Sequence, residues 1–202
     1  MPIIVGLGWN CVLKNELRKM QRKREIKEEW KDSMQSLPFD FIQSFNINQI
    51  LSILENKFSD IMIKENLRLK ESHYIPRKNK NSTVIQHVFV HKKYSMKFMH
   101  RFYSLNTEED RNNIYKHFDT VKESFDKQSE RFLEFVSGDE KIHFVRYLGA
   151  LHSTKQLTRL AHQQETEILT KRLKELYPNL NYEIHVFPGI TGLSKFIKQA
   201  FV

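Results

Sequence analysis

Apolar positions recur along this chain in two rhythms. Ile3-Ile4-Val5-Gly6-Leu7 is a short β-branched run bounded by glycine, which predicts a buried strand. Leu13, Leu17 and Met20 then recur at helical spacing, so a helix is expected to begin near Cys11, with Asn10 as its cap. Its continuation RKMQRKREIKEEWK (18–31) is too polar for core and reads as a solvated extension. LPFDFIQSF (37–45) is a Pro-started loop. Beyond it, Ile47, Ile50, Leu51, Leu54, Phe58 and Ile61 form one stripe behind the capping pair Asn46 and Gln49. Residues 72–83, polar and basic around Pro76, read as a loop, VIQHVFV (84–90) as a strand, and Ser95–Met99 as another that ends at His100.

The second half repeats these rhythms. Thr107-Glu108-Glu109-Asp110 resembles a capping box opening a helical region to about residue 136, with Val121, Phe125, Phe132 and Val136 on its buried face and Gly138 as its stop. KIHFVRYL (141–148) predicts a buried strand. Ser153 and Gln156 cap a helix carrying Leu157, Leu160, Leu169, Leu173 and Leu176. YEIHVF (182–187) is the next strand and residues 193–202 the last helix. Strand–helix–strand order predicts an α/β protein, one domain over 1–202, with an open, mostly parallel sheet flanked by helices.

The 202 residues suffice for one sizeable core, and 15 Phe point to a thick one. A formal net charge of +9 would attract anionic partners. The clusters Arg18–Lys27 and Arg77, Lys78, Lys80, Lys92 and Lys93, with Tyr74, Phe89 and Tyr94 near the second, suit phosphates and stacked bases. Glu25, Glu28 and Glu29 interleave the first cluster, however, which reads as a solvated face and disfavours nucleic acid. A single cysteine excludes an internal disulfide. With no signal-peptide pattern and no apolar run near the ~18 residues of a membrane span, a soluble cytoplasmic protein is expected.

Cys11 follows the first strand and lies near a helix start. Unpaired N–H groups there would stabilise a thiolate and an acyl-transfer oxyanion. The competing reading is a small buried hydrophobe. Of the nine histidines, His87, His91, His143 and His185 sit inside apolar strands and read as hydrogen-bonded in or beside the core. His100, at an expected strand end, is placed to act as a base. No metal or cofactor is expected: His87 and His91 on one strand lack the helical HxxxH geometry, and GLG lacks the rest of a dinucleotide fingerprint.

In order, VGLGWNCVLKNELRK, LPFDFIQSF, LENKFSDIM, MHRF, FDKQSERFLEF and KIHFVRY resemble the landmarks of the DUF1796 family of papain-like cysteine peptidases, over about residues 3–148. The family pattern is LGxxC, PFDW, HDF, RRxxRF and FVR. The resemblance implies Cys11 as nucleophile, His100 as base, and Asp40 as an acid that orients an imidazole or organises its loop. It implies a substrate and oxyanion pocket among Gly8, Trp9, Asn10, Arg101, Arg131 and Arg146. It also offers an alternative fold, an α+β papain-like arrangement with an antiparallel sheet. The departures are Arg101 for the acid of HDF, Lys127-Gln128 for the paired arginines, and Phe41 for Trp. The function expected is cysteine-dependent hydrolysis or acyl transfer on a peptide, acyl or other small-molecule substrate. The alternatives are a catalytically impaired relative and a basic module that binds nucleic acid or a protein.

Overall fold

The structure is a computed structural model that describes residues 3–8, 12–22, 32–44, 46–76, 83–105, 107, 109–110, 113–147 and 155–201. In chain order its main elements are β1 (Ile3–Gly6), α1 (Val12–Arg22), β2 (Ile42–Gln43), α2 (Ile47–Glu55), β3 (Leu67–Pro76), β4 (Thr83–His91), β5 (Lys97–Leu105), α3 (Phe118–Ser137), β6 (Ile142–Tyr147), α4 (Lys155–Leu176), β7 (Tyr182–Phe187) and α5 (Ile190–Phe201).

These strands make two sheets. One is parallel, in the order β1-β6-β7, with Val5 opposite Phe144 and Phe144 opposite Ile184. The other is antiparallel, in the order β2-β5-β4-β3. The expected parallel alternation therefore holds for three strands, and the larger sheet departs from it. That sheet is inserted between β1 and β6, where hairpin-linked strands pair antiparallel.

Period-two alternation on β1 fixes the layers. Ile3 and Val5 enter the main core, whereas Ile4 points the other way, into a smaller cluster with Leu13, Leu17 and Met20 of α1, Val145, and Leu193 and Ile197 of α5. The main core spans both sheets. Phe132 of α3 packs edge-on against Phe39 and Phe58, with centroids at 5.8 and 5.3 Å, and also meets Phe144 of β6. The richness in Phe is thus spent at the junction of the sheets.

Three local expectations are corrected. Residues 72–76 belong to β3, not to a loop. As the edge strand it exposes side chains on both faces, so no apolar alternation marks it. β5 does not end at His100 but runs on to Leu105. The helical region opened by Thr107 is not continuous. The Thr107 hydroxyl accepts from Asp110 N at 3.2 Å and residues 109–110 are helical as expected, but residues 114–117 form turns, the Asp110 carboxylate being held by Leu105 N and Lys116, and the long helix α3 begins only at Phe118. The Asn46 cap is as expected, its side chain accepting from Asn48 N at 2.8 Å.

Candidate functional site

Ligands of open parallel sheets gather where the strands end at their carboxyl edge. At that edge, Leu7 N donates to Val145 O at 2.9 Å, and the chain then turns through Gly8 at φ +73°. A Cβ on Gly8 would lie 3.0 Å from Ile50 Cδ1 and 3.3 Å from Arg146 Nη1. Only glycine fits both the conformation and the space. Arg146, the residue after Val145 on β6, is 1% exposed. Its Nη1 donates to Leu7 O at 3.0 Å and Ser44 O at 3.2 Å, and its Nε donates to Glu165 Oε2 of α4 at 2.8 Å. One guanidinium thus ties the end of β1, the segment after β2 and α4. A buried cation is tolerable when a carboxylate and carbonyls answer it in this way.

A second charged group lies on the other side of β1, and Asp40 is its centre. A Cβ on Gly6 would stand 3.7 Å from Asp40 Oδ1. Asp40 Oδ2 accepts from Leu37 N at 2.9 Å and lies 3.7 Å from Lys14 Nζ. Lys14, buried on α1, also donates to Ser33 O and Gln35 O. Arg101 of β5 donates to Gln128 Oε1 of α3, and Arg131 of α3 donates to Ser36 O at 2.9 Å. Burial pushes the Asp40 carboxyl above its ordinary value, against the pull of Lys14, the Leu37 N–H and Arg101. Burial lowers Lys14, and it brings Arg101 down to about 10 against the opposing charge of Asp40.

The residues inferred from sequence fall into this frame unevenly. Trp9, Asn10 and Cys11 lie outside the described residues, between Gly8 and Val12, the first residue of α1. His100 is described in its backbone, which sits at an irregularity of the β4–β5 ladder. His87 faces Phe102 and Phe89 faces Phe98, so β5 advances four residues while β4 advances two. A bulge of this kind re-aims side chains and is frequent beside active sites. Gly8 and Arg146 touch one another, Arg101 reaches Gln128, and Asp40 with Arg131 borders Lys14. The Ile3–Leu7 run and the 141–148 strand thus deliver their ends to one place.

Sequence reading passed over Lys14, Gln128, Ser44 and Glu165. Lys14 carried a usable signal, a cation next to Leu13 and three residues before Leu17 on the apolar face. Glu165 is one of several acids on α4, and nothing in its neighbourhood marks it.

A family model described as "Putative papain-like cysteine peptidase (DUF1796)" matches residues 3–187, and the chain belongs to that family. The match extends the resemblance through β7. No curated protein and no solved structure matches the chain. Among the described residues, no helix is long and apolar enough to cross a membrane.

Proposed function

We propose that the protein is a cysteine-dependent hydrolase or acyltransferase of the peptidase-like kind, with Cys11 as nucleophile and His100 as base. The observation that carries this reading is the left-handed turn at Gly8, fixed by Arg146 at the carboxyl edge of the parallel sheet. It stands directly ahead of Cys11 in the chain, and α1 begins directly after. Membership of a peptidase-like family adds the substrate class, a peptide or related acyl compound.

In the proposed cycle His100 takes the proton of Cys11, and the sulfur bonds to the substrate carbonyl carbon. Backbone N–H groups that follow Gly8 hold the oxyanion. Collapse breaks the bond to the leaving amine or alcohol, which receives the proton from His100. Water then attacks the thioester, gives its proton to the same imidazole and releases the acid, and Cys11 recovers its proton. Asp40 has a positioning role here, holding the 37–40 turn and pairing with Lys14 of α1 rather than meeting substrate. Arg146 holds the turn and Arg131 the 36–37 segment.

Alkylation of Cys11 by iodoacetamide over a pH series tests the reading. The expected result is a rate that stays high below neutral pH, falls on unfolding, and accompanies hydrolysis of an activated ester that Cys11→Ser abolishes. A rate that climbs with pH as for an ordinary thiol, in native and unfolded protein alike, overturns it.

A second reading, a relative with the pocket but impaired turnover, is favoured by Arg101, which stands where the family pattern has an acid beside the histidine. It predicts a reactive Cys11 without ester hydrolysis. For nucleic-acid binding, Arg77, Lys78 and Lys80 of the second basic cluster lie outside the described residues. Lys92 and Lys93 are engaged by Glu65 O and the Asp60 carboxylate.

A further inference from the structure

The parallel pairing of β6 with β7 sets His143 opposite Glu183 and Val145 opposite His185. Side chains two apart on a strand share a face, so His143, Glu183 and His185 project together from the same side of the sheet. Three of their atoms converge. His143 Nδ1 lies 3.0 Å from His185 Nε2 and 3.3 Å from Glu183 Oε2, and His185 Nε2 lies 3.5 Å from that same oxygen. We propose that His143, Glu183 and His185 bind one divalent cation of the zinc type.

Size is the first support. A tetrahedral cation with bonds of about 2.0–2.1 Å holds its ligand atoms about 3.3–3.4 Å apart. The three observed separations bracket that edge, so a single position lies at bonding distance from all three atoms. Donor type is the second: two imidazoles and one carboxylate suit zinc better than calcium or magnesium, which prefer oxygen. Preorganisation is the third. The His185 ring is pressed against Phe196 of α5 with centroids 4.2 Å apart and stacks on His143 at 5.3 Å. The other Glu183 oxygen accepts from Lys141 Nζ at 2.5 Å, which aims Oε2 at the histidines as outer partners of metal ligands do.

With three protein ligands, the fourth corner of the tetrahedron is left to water. The Glu183 side chain is 47% exposed, so that corner has a route to solvent. The cation would cross-link the edge strand β7 to the central strand β6 beneath α5. Sequence reading found no metal signature because the ligands come from two strands separated by α4, and the pairing register alone brings them together.

The test is titration of the full chain with Zn²⁺ and, as a spectroscopic probe, Co²⁺. The expected result is uptake of one equivalent, tetrahedral Co²⁺ absorption without a thiolate charge-transfer band, and a rise in Tm with Zn²⁺. Glu183→Ala and His185→Ala, each checked for native far-UV dichroism, should weaken uptake by more than ~10-fold. Cys11→Ser should leave it unchanged. Glu183 is exposed enough for its variant to fold even where that of His185 does not. No uptake by the wild-type chain, uptake retained in a folded Glu183→Ala, or uptake lost with Cys11→Ser would each overturn the proposal. Because Cys11→Ser is expected to keep the metal and lose ester hydrolysis, the two proposals fail separately.

Discussion

Arg101 of β5 donates its Nη2–H to the Oε1 of Gln128 on α3. These are two of the positions at which the chain departs from the family pattern, where the resemblance places an aspartate and an arginine. In this chain Arg101 is one end of a strand-to-helix tie, and the charge of Asp40 also acts on its guanidinium. Arg101→Asp should therefore destabilise the protein by roughly 3 kcal/mol, since it sets a second carboxylate near buried Asp40 without a partner. Adding Gln128→Arg should recover more than about 1 kcal/mol of that loss. Urea denaturation of the two single variants and the double variant measures the coupling, and strict additivity would mean the two positions do not communicate.

Gly8→Ala should be costly although it adds a single methyl. The backbone is left-handed at φ +73°, and the new Cβ would meet Ile50 Cδ1 at 3.0 Å and the Arg146 guanidinium at 3.3 Å. Strain and overpacking together predict a loss of about 2–4 kcal/mol. If Cys11 depends on this turn, its alkylation rate in the folded variant should fall too. Gly189→Ala is the control, because a Cβ there meets nothing within 4 Å. Chemical denaturation and thiol labelling of both variants check this.

What the sequence made legible follows from where each side chain ends up. β1, β6 and α2 are buried on defined faces, and their periodicity was readable; Phe144 and Ile50 sit where the pattern put them. β3 was unreadable because an edge strand exposed on both faces carries no alternation. The bulge at His100 was invisible because register belongs to a pair of strands, not to one. Gly8 and Arg146 were legible as candidates, but their mutual contact depends on β1 and β6 pairing across more than 130 residues of chain. Lys14 and Gln128 have polar partners on other elements, Ser33 O and Gln35 O for the one and Arg101 for the other, which their own stretches of sequence do not reveal.

Asp60 should set part of the acid limb of the stability curve. Its carboxylate accepts from Tyr94 Oη at 2.9 Å and from Lys93 Nζ at 2.8 Å, tying the segment after α2 to the β4–β5 turn. Burial alone would raise its pKa, but the hydrogen bonds from Lys93 and Tyr94 outweigh that and hold it below the ordinary 3.8. A depressed carboxylate contributes stability in full above its unfolded pKa and loses it as pH falls through the folded one. Asp60→Asn should thus cost about 1–3 kcal/mol at pH 7. It should cost progressively less as pH drops below about 4. Melting curves from pH 7 to pH 2 for both proteins check the convergence; a pH-independent difference would assign the loss to packing.

Arg146 is the side chain on which the candidate site depends most directly, and the form of its contacts predicts how it can be replaced. It uses two nitrogens in different directions, Nη1 toward two carbonyls and Nε toward Glu165. Lysine keeps the charge but offers one nitrogen, so Arg146→Lys cannot serve Leu7 O, Ser44 O and Glu165 together. A loss of about 2–3 kcal/mol is expected, less than the roughly 3–5 kcal/mol for Arg146→Ala, which leaves Glu165 without its buried cation. Arg146→Ala combined with Glu165→Gln should recover part of the latter by removing the stranded charge. A positioning role further requires that folded Arg146→Lys lose rate in ester hydrolysis with KM little changed, because the guanidinium holds the turn and does not touch substrate. A rise in KM with kcat preserved would instead place Arg146 in contact with the substrate.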